Sequence, residues 1–195
     1  MGKERIAGVI RKVTVPPVLA AAMLLILRAA FGDGFISLPL LAAEILFLVI
    51  VPVSAYPLSR FRSGEKGGRE GQRRLAFVTN LLGYTLALAA GIIGGGNRML
   101  LMILWGYFLA VLFLTLLNKV GKVRASGHAC SCTLPYLFFC DFLGAGAAVV
   151  CAALYLAEFW ASVRLKRHTV KEFLLGSLTA GAVFLLVKMG GSIPG

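Results

Sequence analysis

Apolar residues in this chain fall into long runs separated by short polar stretches. Seven runs stand out, at roughly 15–31, 35–57, 75–94, 99–117, 128–143, 145–161 and 169–188. None alternates polar and apolar residues with period two, as the strands of a membrane barrel would. Runs of this length match the hydrocarbon core of a bilayer. Inside that core every backbone N–H and C=O must be paired within its own segment, which a helix achieves. The pattern therefore predicts an all-α fold: a polytopic transmembrane helix bundle of about seven helices, or six if one segment does not span. It forms a single integral membrane domain over residues 1–195.

The punctuation agrees with that division. Pro16 and Pro17 suit the first turn of a helix, where a missing N–H costs nothing. Gly32-Asp33-Gly34 and Gly94-Gly95-Gly96-Asn97 make turns, and Ser59 to Arg74 reads as a polar, glycine-containing loop. Residues 128–161 pose a choice between one helix and a hairpin. One helix would be ~50 Å long against a ~30 Å core. Asp141 to Gly146 offers a turn, so a hairpin of two short arms is expected. The first run is too long for a signal-peptide core and lacks a clear cleavage site, so no cleavable leader is expected.

Composition strengthens the membrane reading. Hydrophobic residues make up 59% and charged residues 14%, where a soluble domain carries about a quarter charged. The 20 Lys and Arg against 8 Asp and Glu give a formal charge of +12. In a soluble chain that excess would suggest nucleic acid; here no nucleic acid is expected, because basic loops set membrane orientation. With seven helices, the N-terminus and loops 58–74, 118–127 and 162–168 share one side, and 17 of the 20 basic residues lie on or beside it. Only Arg28, Arg98 and Lys188 fall elsewhere. The positive-inside rule makes that side cytoplasmic.

Both histidines also belong to the basic side, His128 after Lys122-Val-Arg124-Ala-Ser126-Gly127 and His168 after Arg164-Leu-Lys166-Arg167. The hairpin between them returns both to the same membrane face. Cations and a helix N-terminus suit a phosphate. Two histidines beside it permit one to attack phosphorus and the other to protonate the leaving oxygen. Glu172, four residues after His168, lies on the same helix face and can hold its imidazole. Taken singly, such residues serve as orientation signals or interfacial anchors; their joint placement makes the site.

The remaining polar residues in apolar runs carry lesser expectations. Arg28 and Glu44 are a candidate ion pair between the first two helices, Glu158 is within reach of a site cation, and Asp141 is expected to be solvated. Gly83, Gly91, Gly144 and Gly176 suit close helix packing. Cys130, Cys132, Cys140 and Cys151 read as small hydrophobes. A metal cluster of His128, Cys130 and Cys132 is not expected, since residues two apart do not share a helix face.

The segment 118–176 resembles the type 2 phosphatidic acid phosphatase (PAP2) superfamily of membrane lipid phosphatases, within a motif-bearing core at 118–188. The middle motif of that family appears as Ala125-Ser126-Gly127-His128, and the last runs from Trp160-Ala161-Ser162-Val163-Arg164 to His168 and Glu172. Pro16-Pro17 and Arg167-His168-Thr169 are similar to a bacterial and archaeal branch. The resemblance implies hydrolysis of a lipid phosphomonoester or a (poly)prenyl diphosphate in a prokaryotic cell membrane. It makes His168 the nucleophile, Glu172 its orienting acid and His128 the general acid. Lys122, Arg124, Ser126 and Gly127 would bind the phosphoryl group, with Arg164 and Arg167 beside them. Its substrate would be a lipid phosphate or diphosphate, with membrane lipids around it and no cofactor or metal. In this sequence the first motif lacks its Arg-Pro, Ala125 stands for Pro, and Glu172 stands for Asp. Ser162 stands for the motif's phosphate-binding Arg, and Arg164, two residues along a helix, would point ~200° away. A chain that binds lipid phosphate without turnover is the alternative. A transporter is not favoured, because no inverted repeat or paired broken helices are visible.

Overall fold

A computed structural model describes residues 2–62 and 68–190. Every regular element among them is helical. The α-helices are α1 (Gly2–Val13), α2 (Pro16–Phe31), α3 (Leu38–Ile45), α4 (Val51–Val53), α5 (Ala55–Arg62), α6 (Gly68–Ile93), α7 (Arg98–Thr115), α8 (Gly127–Leu143), α9 (Ala145–Arg164) and α10 (Val170–Gly190). Wider π turns at Leu46–Ile50 and Leu116–Val120 extend α3 and α7.

Among the described residues, six segments are long and apolar enough to cross a membrane: Pro16–Gly34, Leu38–Ser59, Arg74–Ile93, Arg98–Val120, Ala145–Arg164 and Val170–Gly190. The chain is thus an all-α transmembrane protein of about six to seven helices. The seventh expected span, α8, has only 17 residues with Pro135 inside it, about 25 Å of helix against a core of about 30 Å. The polar stretch 59–74 is less of a loop than its composition suggests. Helix α5 runs in from one side to Arg62 and α6 starts at Gly68, and the glycine-containing stretch 63–67 lies outside the described residues. One element has no counterpart among the apolar runs: α1 is a short amphipathic helix that buries Ala7 and exposes Ile6, Val9 and Val13.

The contacts group into two compact units, Met1–Leu19 with Leu112–Gly195, and Ala20–Val111. In the second unit, the π turn at Leu46–Ile50 precedes Pro52, whose ring cannot donate to the helix ladder. Gly83 packs against this widened turn; a Cβ there would fall 2.4 Å from the Phe47 carbonyl oxygen. Gly91 is less constrained: its Cβ would meet Leu104 Cδ1 at 2.2 Å, the tip of a side chain that can move aside. Arg28 pairs with Asp33 at 2.6 Å, not with Glu44. The five-residue separation across the Gly32–Gly34 turn makes Asp33 the nearer partner, and Glu44 is buried without a hydrogen bond to either oxygen. Asn97 caps α7 by accepting from the Leu100 N–H at 2.9 Å.

The first unit carries both histidines. Helices α8 and α9 form the expected hairpin, reversing at Gly144, whose φ of +77° needs glycine. No neighbour approaches that position, so Gly144 serves the turn and not helix packing. Helix α10 packs along α8 around Phe138, Phe173 and Val183, all buried. At the Gly144 end Asp141 is not merely solvated, because Lys188 forms an ion pair with it. At the other end α10 comes so close to the start of α8 that a Cβ on Gly176 would lie 2.2 Å from the Ser126 carbonyl oxygen. Helix α1 packs against α9.

Candidate active site

The site gathers at the open end of this hairpin. A short loop, 121–126, leads into α8. Asn118 braces it with its side-chain amide, which donates to the Ala125 carbonyl at 3.2 Å and accepts from the Ala125 N–H at 3.0 Å. Lys122 sits in the loop at φ +49°, and Lys122 and Arg124 are exposed. Ser126 is the N-cap of α8: its Oγ accepts from the Ala129 N–H at 3.1 Å. Its own N–H donates to the Glu172 carbonyl at 2.9 Å. Ser126 is therefore a buried structural cap, while Gly127 beside it is exposed.

His128 points back into the hairpin. Its Nε2 lies 2.9 Å from Oε1 of Glu158 on α9, an ion-pair distance off the line of a hydrogen bond. Glu158 is completely buried, and its Oε2 accepts from the Tyr136 hydroxyl at 3.4 Å. Cys132, one turn after His128, donates its thiol to the Thr14 carbonyl at 3.1 Å. The donor atoms of His128, Cys132 and Glu158 lie within 4.8 Å of one another. The relevant spacing is four residues along α8, which leaves Cys130 out. Nitrogen, sulfur and oxygen donors of this kind suit a borderline-soft cation such as zinc, although the charge of Arg11 reaches Cys132 and opposes a cation there.

His168 follows α9 and precedes α10. Thr169 and Glu172 form a reciprocal cap on α10: the Thr169 N–H donates to Glu172 Oε2 at 3.1 Å, and the Glu172 N–H donates to Thr169 Oγ1 at 3.2 Å. The carboxylate so fixed faces His168 Nδ1 at 3.6 Å, longer than a hydrogen bond, and Arg124 Nε at 3.4 Å. Burial first, then the charges of Arg11 and His128, hold the His168 imidazole below the usual histidine range, while Glu172 opposes the shift.

Helix α9 remains helical through Arg164, leaving Arg164 exposed while Ser162 is buried. Arg164 therefore does not take the place of the arginine absent at 162. Arg167 is exposed as well. Ser162 instead accepts a hydrogen bond from Arg11 Nη1 at 2.8 Å, across 151 positions of chain. Comparison with protein-family models, curated proteins and solved structures finds no match to this chain.

Arg11, Glu158 and Asn118 are the site residues that sequence reasoning missed or undervalued. Glu158 had a signal, a carboxylate in an apolar run. Asn118, at the end of another apolar run, had a fainter one. Nothing local marks Arg11, because its partner lies on another helix.

Proposed function

We propose that this chain is a PAP2-type membrane lipid phosphatase, a hydrolase of a lipid phosphomonoester or (poly)prenyl diphosphate. The observation that carries the reading is the pair of histidine–glutamate contacts, His128–Glu158 and His168–Glu172, at one end of the α8–α10 bundle. Arg124 contacts Glu172, and Lys122, Arg164 and Arg167 are exposed on the segments that carry the two histidines.

The chemistry follows from which nitrogen each glutamate faces. Glu172 faces Nδ1 of His168, which leaves Nε2 to attack phosphorus. The N–P bond forms as the P–O bond to the lipid breaks. His128 gives its proton to the departing oxygen from Nδ1, the nitrogen turned away from Glu158. Water then attacks the phosphohistidine, His128 takes a proton from that water, and inorganic phosphate leaves with His168 restored. These side chains and one water balance the reaction, which calls for no cofactor or metal. A lowered His168 pKa suits the attack, since only neutral imidazole is nucleophilic. The basic bias of the N-terminus and loops favours a cytoplasmic N-terminus and a site on the cytoplasmic face of a prokaryotic membrane.

Ser162 at the motif arginine position favours a second reading, lipid-phosphate binding without turnover. One experiment separates them: phosphate release by the purified full chain from phosphatidate, a polyprenyl phosphate and a polyprenyl diphosphate. Release from at least one, lost in His168→Ala, is expected. Binding of these lipids with no release would favour the second reading.

A further inference from the structure

The N-terminal helix reaches the candidate site through one side chain. Arg11 lies one turn after Ala7, the residue that α1 buries completely, so both point toward the packed side of the helix. Its guanidinium bonds Ser162 Oγ at 2.8 Å, and Ser162 has no solvent exposure. The Ser162 carbonyl accepts from the N–H of Arg167, the residue before His168. Three positions after Arg11, the Thr14 carbonyl accepts from Cys132, one turn from His128. The last turn of α1 is therefore pinned to both chain segments that carry the histidines.

We propose that Arg11 is the phosphoryl-binding guanidinium of this site, supplied by α1 to the place where α9 carries only a serine. The proposal rests on the phosphatase reading above. A guanidinium presents five N–H donors in a planar fork that matches phosphate oxygens, and it never loses its charge. Ser162 accepts from Nη1 and so helps orient the guanidinium. That the Arg11 charge is felt at both His168 and Cys132 agrees with a position between the two histidine-bearing segments. The consequence is a site that is complete only while α1 is docked.

A purely structural role would make Arg11 a staple between α1 and α9. Arg11→Gln distinguishes the two, because glutamine can still donate to Ser162 but has neither charge nor fork. The full-length protein is titrated with inorganic phosphate and with vanadate, and phosphate release from the lipid panel is measured in parallel. Arg11→Gln is expected to weaken vanadate binding about 10–100-fold and to raise KM with an unchanged unfolding midpoint. Arg11→Ala with Ser162→Arg, which returns a guanidinium from α9, is expected to recover most of the loss. Wild-type affinity and KM in Arg11→Gln overturn the proposal and leave the phosphatase reading standing. If the glutamine variant also melts early, the double variant decides, and failure to recover vanadate binding overturns the proposal. A wild-type protein that binds neither anion and releases no phosphate overturns the phosphatase reading itself.

Discussion

Glu158 holds a fully buried carboxylate 2.9 Å from His128 Nε2, reaching across the α8–α9 hairpin. Glu158 stands to Nε2 of His128 as Glu172 stands to Nδ1 of His168. In the proposed mechanism His128→Ala removes the general acid and is expected to slow turnover about 10²–10⁴-fold on lipid substrates. Glu158→Gln should cost less, because the imidazole remains and only its orientation suffers. Both losses should shrink with an aryl phosphate, whose leaving oxygen needs little protonation. Steady-state kinetics with the two substrate types provide the check, and equal losses on both would count against a general acid at 128.

In the proposed mechanism His168 is the nucleophile, which sets an acid limit on turnover. Its pKa is lowered chiefly by burial, then by Arg11 and His128. The neutral, attacking form therefore persists to lower pH than for an ordinary histidine. The pH profile of kcat/KM should fall on its acid side with a midpoint below about 6.5, and Arg11→Gln should move that midpoint up. Stability follows the same proton. A histidine with a lowered folded-state pKa binds its proton more readily when unfolded. Its contribution is present above the unfolded value and is lost as pH falls through the folded one. Unfolding midpoints across this range should drop toward acid, and less so in His168→Gln.

Gly176 ties packing to chemistry. A methyl group there would meet the Ser126 carbonyl oxygen at 2.2 Å and the Ala129 Cβ at 3.1 Å. Backbone cannot yield as a flexible side chain does, so Gly176→Ala must push α10 away from the N-terminus of α8. The expected cost is about 1–3 kcal/mol, as for other overpacked cores, with the Ser126–Glu172 backbone bond lost and activity falling in parallel. Gly181→Ala, where nothing lies within 4 Å, is the control and should be neutral.

Orientation can be tested through Glu65, in the basic stretch between α5 and α6. A cysteine at this position, in a background lacking the four native cysteines, should resist an impermeant thiol reagent in intact cells and react after lysis. Labelling from outside would put the N-terminus and the site on the opposite face.

How much of this was legible in sequence depended on whether the physics was local. Helix positions follow from apolar run length, and the hairpin from a glycine between two short runs; both are properties of adjacent residues. The role of α8 was less legible, because its 17 residues around Pro135 are apolar like a span but make only about 25 Å of helix. Helix α1 escaped hydropathy altogether, since charged residues interrupt its apolar stripe of Ile6, Val9 and Val13. Glu172 does come to face His168, but not by a shared helix face: His168 lies before α10, and the Thr169–Glu172 cap turns the carboxylate toward it. Pairings between helices were not legible: Glu158 with His128, Arg11 with Ser162, and Lys188 with Asp141 depend on packing that no single segment encodes. The expected Arg28–Glu44 pair failed for the same reason, with Asp33 close by in sequence.

The central claim is that His168 carries the phosphoryl group during turnover. The most direct measurement is rapid quenching into alkali of protein turning over a ³²P-labelled lipid phosphate, followed by mapping of the label. The account predicts a base-stable, acid-labile phosphohistidine on His168, absent in His168→Ala together with all turnover. Turnover without label at His168, or full activity in His168→Ala, would contradict it.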